Sequence, residues 1–410
     1  ISAGVLQISA DNNLGDAANT LSMGGGVLAT TANLTTARNI ALTAASSLAP
    51  AAGTTLTYGG VISGAFGLTK VGTGGLTLSA ASTYTGATAV NQGTLTRDFA
   101  SAASGAANTL IAAPLAAYST TAAQAAVGTV VPYTGSTAGW YVGMPITGTN
   151  VPANATIASF QAGTSFTMSV ASTAVIASGT SITGTPRSAL ALANGSTLAL
   201  VGKASTTNTQ TFAGLNVSAG ANRITLTANA TANPLALTVG AITPVAGGTL
   251  DVTLPIGTLS ATNGFNTTTA VTNAILGGYA TANAGAGWLV SSATGSSVLA
   301  AEVALPAATG AAATNYSVSA ATTALTANVA ANAVRLTGTT AKTISGNTLT
   351  LTSGGLLVDK TVTSNDTISS NLTATGTQLS VLQYGTGTLT LSGVISGTNA
   401  VVKSGPGALV

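Results

Sequence analysis

One motif occurs twice in this chain, and that duplication constrains the fold more than any other feature. Residues 60–77 read GVISGAFGLTKVGTGGLT and residues 393–410 read GVISGTNAVVKSGPGALV, and the two align without a gap. Repetition of a whole segment is typical of architectures in which similar units stack and cover one another's apolar faces. The sequence therefore predicts stacked structural repeats.

The motif is interrupted at both ends of the chain. The first copy continues through VNQGTL at 90–95, whereas the second stops at Val410, and the opening ISAGVLQIS fits the tail of the same motif. We therefore expect this sequence to be a window on a longer repetitive protein. Its expected partners are further copies, or a continuation, of the same protein, joined head to tail into an unclosed filament.

The longer stretch 68–95, LTKVGTGGLTLSAASTYTGATAVNQGTL, resembles the autotransporter-associated β-strand repeat, because its glycines, Lys70, TYTG and final GTL fall in register with that repeat. Segments at 190–226, 275–290 and 347–395 resemble the spacers of very large, repeat-bearing bacterial surface proteins. The resemblance implies an extracellular β-solenoid, secreted or on the outer surface of a bacterium. It carries no catalytic residue to transfer.

Apolar and hydroxyl side chains alternate through much of the chain, as in TLTYGGVI, GLTLSA, TLALVG and RITLTA. Strict alternation is typical of a half-buried strand, and the branched Thr and Val side chains suit a pleated surface. Gly, Asn and Ser punctuate these strands and can supply the backbone of tight turns. With the repeat, this pattern predicts an all-β fold: a right-handed parallel β-helix (β-solenoid) with a small inserted β domain.

Aromatic residues are concentrated in one segment, 114–186, which predicts a separate small core there. Six of the chain's sixteen aromatics fall inside it, counting 2 Trp, 8 Tyr and 6 Phe in all. The predicted organisation is therefore a solenoid over 1–113 that contains the repeat at about 59–95, and an inserted β domain over 114–186. A further solenoid over 187–410 continues into the truncated repeat at 393–410. A second, weaker insertion is expected at 276–315, around Trp288.

Charged residues make up only 4% of the chain, and it has no His or Cys. The lack of Cys excludes disulfides and thiolate metal sites. Ten cations spread over 410 residues form no basic patch, so nucleic acid is not an expected partner. No run of 18 apolar residues exists to cross a membrane as a helix. We expect no catalytic residues, no enzyme activity and no cofactor.

Two groups of residues are candidate sites. Asp11 and Asp16 share the segment DNNLGD, which offers hard oxygen ligands for calcium, although an Asx-rich turn between coils explains the same residues. Tyr133, Trp140 and Tyr141 form a possible interaction surface for sugars or a protein partner, with core or subunit-contact aromatics as the alternative. The adjacent Trp140 and Tyr141 would point to opposite faces of a strand.

The repeat also predicts which side chains face inward. Leu68, Leu76 and Leu78 are expected in the interior, and Thr69, Lys70 and Thr77 are expected to face out. An outward Lys70 would discourage pairing at a strand edge. The same role is expected for its counterpart in the second copy, Lys403.

The leading functional hypothesis is a non-enzymatic extracellular structural protein, a β-solenoid stalk or filament segment of a giant bacterial surface protein. The alternative is an adhesin in which the solenoid is a spacer and the inserted β domain binds a surface or a glycan.

Overall fold

The fold was obtained as a computed structural model, which describes residues 1–101, 118–119, 124–133, 146–152, 155, 157–161, 164–184, 189–292, 295–397 and 400–410. Within these ranges, the only helical element is a single turn of 3-10 helix, Asp11–Leu14. The rest of the regular structure is β-strand, and most strand pairs are parallel. The coils stack into a β-solenoid of about 16 turns, which confirms the predicted fold class.

The first twelve strands build successive coils. They are β1 (Val5–Ile8), β2 (Leu21–Gly24), β3 (Val27–Thr30), β4 (Leu34–Thr36), β5 (Ile40–Ala44), β6 (Ser46–Pro50), β7 (Thr55–Tyr58), β8 (Ile62–Gly64), β9 (Leu68–Lys70), β10 (Gly75–Leu78), β11 (Thr88–Val90) and β12 (Thr94–Asp98).

The sequence alternation produces these strands directly. Leu56, Leu76 and Leu95 occupy the same position on three neighbouring strands and pair in register. All three are buried, whereas the flanking threonines lie on the outer face. Because side chains alternate across a strand, each coil places its Leu on the Leu of the next. The prediction that Leu76, like Leu68 and Leu78, faces inward is confirmed.

A segment with its own core interrupts the first solenoid stack. Its strands are β13 (Tyr118–Ser119), β14 (Val130–Pro132), β15 (Ile146–Gly148), β16 (Ile157–Gln161), β17 (Ser165–Met168) and β18 (Ser181–Gly184). They form two three-stranded antiparallel sheets, ordered β13-β18-β15 and β14-β17-β16. The predicted limits at 113/114 and 186/187 lie outside the described residues, so the domain boundaries stay a prediction.

The solenoid resumes in register after this segment. The next strands are β19 (Leu190–Leu192), β20 (Thr197–Val201), β21 (Asn208–Val217), β22 (Gly220–Thr227), β23 (Leu235–Pro244), β24 (Gly248–Thr253), β25 (Gly264–Thr267), β26 (Ala280–Ala282), β27 (Gly287–Ser292) and β28 (Gly295–Val298). Strand β19 pairs parallel with β11, and β20 pairs parallel with β12. The coils therefore join two long sheets, of 9 and 10 strands, whose interiors form one apolar core; β2, β5 and β8 form a short third sheet.

A second stack is built from the remaining strands. They are β29 (Val303–Ala304), β30 (Asn315–Val318), β31 (Thr322–Leu325), β32 (Val329–Leu336), β33 (Thr343–Gly346), β34 (Leu349–Val358), β35 (Asp366–Ile368), β36 (Leu372–Ala374), β37 (Gln378–Gln383), β38 (Thr388–Leu391), β39 (Ile395–Ser396), β40 (Ala400–Ser404) and β41 (Ala408–Leu409). Its two sheets enclose a separate apolar core. The first stack ends in β26, β27 and β28, which pair antiparallel.

One predicted orientation is wrong. Lys70 is buried, at 1% exposure, rather than on the outer face. It pairs in register with Leu48 of the preceding coil and Val90 of the next, both in the interior. The physical reason is the period of the strand: Lys70 lies two residues after the inward Leu68, so it must share its face.

Candidate functional site

The turn after β9 shows what a buried lysine does in this fold. The Lys70 ammonium donates hydrogen bonds to the carbonyl oxygens of Val71 at 2.9 Å, Gly72 at 2.7 Å and Gln92 at 3.1 Å. Gln92 belongs to the next coil, so one side chain ties two successive turns together. The methylene groups of Lys70 pack in the apolar interior of the solenoid, while its ammonium group reaches the carbonyl oxygens of the turn. Burial lowers the pKa of Lys70 to about 8.

The second copy of the motif keeps part of this contact. The Lys403 ammonium donates to the carbonyl oxygen of Gly405 at 2.6 Å, the position that corresponds to Gly72 in the first copy. Lys403 is exposed, because among the described residues no further coil lies over this turn. Lys70 and Lys403 therefore occupy the same position of the repeat, but Lys70 is covered by a further coil and Lys403 is not.

The glycines of the motif are required by the close approach of neighbouring turns. Gly72 has a φ of +74° and Gly405 a φ of +81°, a region that L side chains rarely adopt. A Cβ at Gly72 would lie 2.5 Å from the Pro50 carbonyl oxygen of the preceding coil. At Gly405 the same atom would lie 2.2 Å from the Gln383 carbonyl oxygen. Both copies of the motif thus build the same turn.

Other buried cations act in the same way. Arg97 donates to the carbonyl oxygen of Leu78 at 2.6 Å, and its Cζ lies 4.6 Å from the centre of the Phe99 ring. Burial lowers the pKa of Arg97 to about 10. The Lys342 ammonium donates to the carbonyl oxygens of Gly338 and Thr340 and lies 3.8 Å from the Asp366 carboxylate. A buried cation near a strand end therefore binds carbonyl oxygens of the turns or of the strand ends.

The DNNLGD segment already surrounds a cation of the chain. The buried Arg38 guanidinium makes an ion pair with the Asp11 carboxylate at 2.8 Å. It also donates to the main-chain carbonyl oxygens of Asp11, Gly15 and Asp16. Its hydrogen bond to Arg38 is the main reason that the pKa of Asp11 lies below its ordinary value. Arg38 thus occupies the oxygen cluster that the sequence offers to calcium, a partner that sequence reasoning missed.

Of the three residues of the candidate aromatic surface, Tyr133 lies among the described residues. Tyr133 is 4% exposed and lies in the core of the antiparallel sheets, with its ring centre 6.0 Å from that of Phe166. The prediction that Tyr133 contributes to a surface is therefore wrong, because this small segment needs its large rings for its own core. Trp140 and Tyr141 lie outside the described residues.

The two stacks meet in a small apolar cluster that is separate from both of their cores. Trp288, on the strand β27 that ends the first stack, is fully buried there. The expected insertion around Trp288 is thus the element that joins the stacks. A Cβ on Gly355 of the second stack would lie 2.7 Å from the Trp288 ring, so only glycine allows this contact. The other members of the cluster are Ile275, Ala333, Leu357, Leu382 and Tyr384.

Neutral polar groups surround this cluster and cross the junction. Gln378 accepts from the Gly247 amide at 2.7 Å and donates to the Gly248 carbonyl oxygen at 3.0 Å. The Asn273 side chain donates to the Asn332 side chain at 3.0 Å. Each of these bonds joins residues of different stacks, so the junction is specific as well as apolar.

Charged groups of the second stack form a cluster of ion pairs beside the junction. Arg335 pairs with the Asp359 carboxylate at 2.8 Å and with the Glu302 carboxylate at 3.2 Å. Burial raises the pKa of Glu302. At Asp359 burial opposes ionisation, but hydrogen bonds from Thr361 and Arg335 outweigh it and hold the pKa of this carboxyl below its ordinary value. Asp359 is therefore held ionised beside Arg335.

A third buried carboxylate, that of Asp251, lies on the first stack. It accepts hydrogen bonds from the Thr281 hydroxyl at 2.7 Å and from the Gly285 amide at 3.1 Å. Thr281 in turn lies 3.3 Å from the Tyr384 hydroxyl of the second stack. Burial raises the pKa of Asp251, and Thr281 connects this carboxyl to Tyr384 of the second stack.

An open pocket of about 330 Å³ also lies at the junction. Its lining includes Asn273, Tyr279, Asn332, Thr352 and Thr377, and no lining residue that the structure describes carries a charge. Burial raises the pKa of Tyr279 to about 12, so its hydroxyl stays protonated at neutral pH. The pocket offers hydroxyl and amide hydrogen bonds and no acid–base pair.

The described residues offer neither a cluster of metal ligands nor a membrane-spanning helix. No group of three or more His, Cys, Asp or Glu side chains that could hold a metal ion occurs among the described residues. Within them, no helix is long and apolar enough to cross a bilayer.

The solenoid and its turn motif define a class of protein. Residues 68–96 match the passenger-associated-transport-repeat family, and these residues form β9 to β12 with the Lys70 turn. Residues 68–96 thus form the autotransporter-associated β-strand repeat that the sequence resemblance predicted, and the β-solenoid fits a protein that carries this repeat. Such a repeat implies a secreted or surface-exposed bacterial protein, and solenoids of this family are typically non-catalytic. No curated protein and no solved structure matches the chain.

The Lys70 contact can be tested by replacing Lys70 with Met, which keeps the apolar stem and removes the ammonium. Three turn carbonyls then lose their donor, and we expect unfolding free energy to fall by about 1–3 kcal/mol in urea titrations. Lys403→Met changes the same repeat position where the side chain is exposed. It should lower the unfolding free energy by less than about 0.5 kcal/mol. Equal losses in the two variants would contradict the role of Lys70 between coils.

The lowered pKa of Lys70, about 8, also predicts a pH dependence. Between about pH 8 and 10 the unfolded chain keeps the Lys70 proton and the folded protein releases it, so the contribution of Lys70 to stability rises with pH. Nuclear magnetic resonance of labelled lysine side chains should show one of the five lysines titrating near 8. Its signal should be absent in Lys70→Met. A Lys70 midpoint above 10 would be inconsistent with the buried contact.

The Arg38 contact predicts that the DNNLGD segment needs no added metal. Treatment with EDTA should leave the melting temperature unchanged, whereas Arg38→Met should lower stability by about 1.5–3 kcal/mol because charged hydrogen bonds are lost. Arg223→Met, at an exposed arginine, is the matched control. A melting temperature that falls by several degrees in EDTA and recovers with calcium would show that this oxygen cluster binds a metal instead.

Proposed function

We propose that this chain is a non-enzymatic stalk or filament segment of an extracellular bacterial protein. The observation that carries the proposal is the parallel stacking within each of the two stacks, in which neighbouring coils hydrogen-bond to one another through their main chains. Stability in such an array accumulates from nearest-neighbour contacts, which suits an extended load-bearing element. The buried cations add a second connection between successive turns.

The ends of the stacks support extension by further coils. Val5 and Leu6 of β1 are 67% and 39% exposed, and Val394, Ile395 and Val401 of the last strands are 65%, 41% and 49% exposed. Uncovered strand edges with apolar side chains favour pairing with another strand. The proposed occupant is a further coil of the same kind, from a continuation of the polypeptide or from a second copy.

Light scattering of the 410-residue chain tests this proposal. The scattering mass should rise with protein concentration, and Val5→Lys together with Val401→Lys should abolish the rise, because lysine on an edge strand opposes pairing. The matched control is Val130→Lys, at an exposed valine of the inserted segment, 54% exposed. A monodisperse monomer for the unmodified chain at high concentration would refute head-to-tail extension.

An adhesive role for the inserted segment is the second candidate, and one observation favours it. Val127, Val130 and Val170 are 55%, 54% and 47% exposed, although the segment has an apolar core of its own. Main-chain bonds join 128 to 172 and 129 to 168, which brings these valines to one region. Replacing all three with Ser should abolish attachment to a host or abiotic surface without changing the melting temperature; unchanged attachment would reject this role.

A further inference from the structure

The outer face of the ten-stranded sheet carries a regular array of threonines. Six strands lie side by side in the order β4, β7, β10, β12, β20 and β22. One outward row along them holds Thr at five of six places: Thr35, Thr57, Thr77, Thr96, Ala199 and Thr225. A second row, two residues earlier on each of four strands, holds Thr55, Gly75, Thr94 and Thr197. We call these two rows the threonine array.

The hydroxyl groups of the threonine array are left without a protein partner in the part of the chain that the structure describes. Among the described residues, none of these threonines makes a side-chain hydrogen bond to another protein group. Hydroxyls elsewhere on the solenoid do have partners: Ser63 donates to the Ile40 carbonyl oxygen at 3.1 Å, and Thr373 lies 2.8 Å from Ser396. The hydroxyls of the array are therefore free to bond water or an external partner.

The array has fixed spacings in two directions. Neighbouring strands in a sheet lie about 4.8 Å apart, and alternate residues along a strand lie about 6.6 Å apart. The pairing shows no register shift across the six strands. Leu56, Leu76 and Leu95 are packed beneath the array, and the branched threonine side chain has few rotamers. The threonine hydroxyl and methyl groups are thus repeated at regular spacings on the surface of a rigid sheet.

The array is uncharged, and this restricts its partner. The two rows contain Thr, Ala and Gly over β4 to β20, and the charged side chains nearest to them on this face are Arg223 on β22 and Asp98, two residues after Thr96 on β12. A nucleic acid, an acidic glycan or an anionic lipid would require cations on this face. Stacking of sugar rings would require aromatic side chains. The remaining partner is neutral, hydrogen-bonding and itself periodic.

We propose that the threonine array binds the surface of an ice crystal. In hexagonal ice, the oxygen repeat along the a axis is close to the spacing between strands, so successive threonines can occupy equivalent lattice positions. Hydroxyls can bond lattice water, while the methyl groups between them leave apolar surface whose removal from liquid water is favourable. Many weak contacts made together on a preorganised face give firm binding, because little conformational entropy is lost.

The experiment uses the 410-residue chain labelled with a fluorophore and a slowly growing ice hemisphere. Labelled chain should be incorporated into the ice and should inhibit recrystallisation of small crystals, whereas labelled albumin should be excluded. The variant Thr77→Lys with Thr96→Lys should fall to the albumin level, because two ammonium groups with their own hydration stand in the middle of the array. Thr77→Lys alone should reduce incorporation into ice by less than the double variant does.

The matched control is Thr69→Lys with Ala89→Lys. These two residues lie on the same two coils and also pair in register, but on the nine-stranded sheet. The control should keep ice incorporation, and all variants should keep the melting temperature of the parent chain. Exclusion of the parent chain from ice would overturn the proposal. So would equal losses in the array and control variants at unchanged melting temperature.

Discussion

Parallel pairing of each coil with the next is the constraint on which the whole structure depends. Every coil must bring an apolar residue to the same height and the same face as its neighbours, as Leu56, Leu76 and Leu95 do. A shift of one residue would turn that face toward solvent. The inserted segment illustrates how strict this is, since β20 continues the register of β12 after the intervening residues.

Close stacking also decides where charge is placed. Turn carbonyls of successive coils converge at the ends of the strands, and a buried donor must satisfy several of them at once. Lysine and arginine do so from inward positions: Lys70 binds three carbonyl oxygens and Arg38 binds three together with a carboxylate. The few cations of this chain therefore stabilise turns, which leaves the array on the outer sheet face neutral.

The junction between the two stacks limits how far one regular solenoid extends. Strands β26 to β28 pair antiparallel and end the first core. Trp288, Asn273 and Gln378 then hold the second stack against the last coils of the first. The glycine at 355 shows how closely the two backbones approach, because it alone leaves room for the Trp288 ring. This part of the molecule is a specific packed interface rather than another repeat.

The sequence by itself determined the fold class, the repeat and the inward leucines, because these depend on local alternation and on a duplicated motif. It also contained the signal for the buried Lys70, since a period of two places it with Leu68, but the usual exposure of lysine suggested the opposite. The residues that pair with DNNLGD could not be read from the sequence, because Arg38 lies far along the chain and meets Asp11 only when coils stack. Likewise, the tertiary structure alone decided that Tyr133 is in a core and that Trp288 joins two stacks. Both depend on which distant surfaces meet, and no local period encodes that.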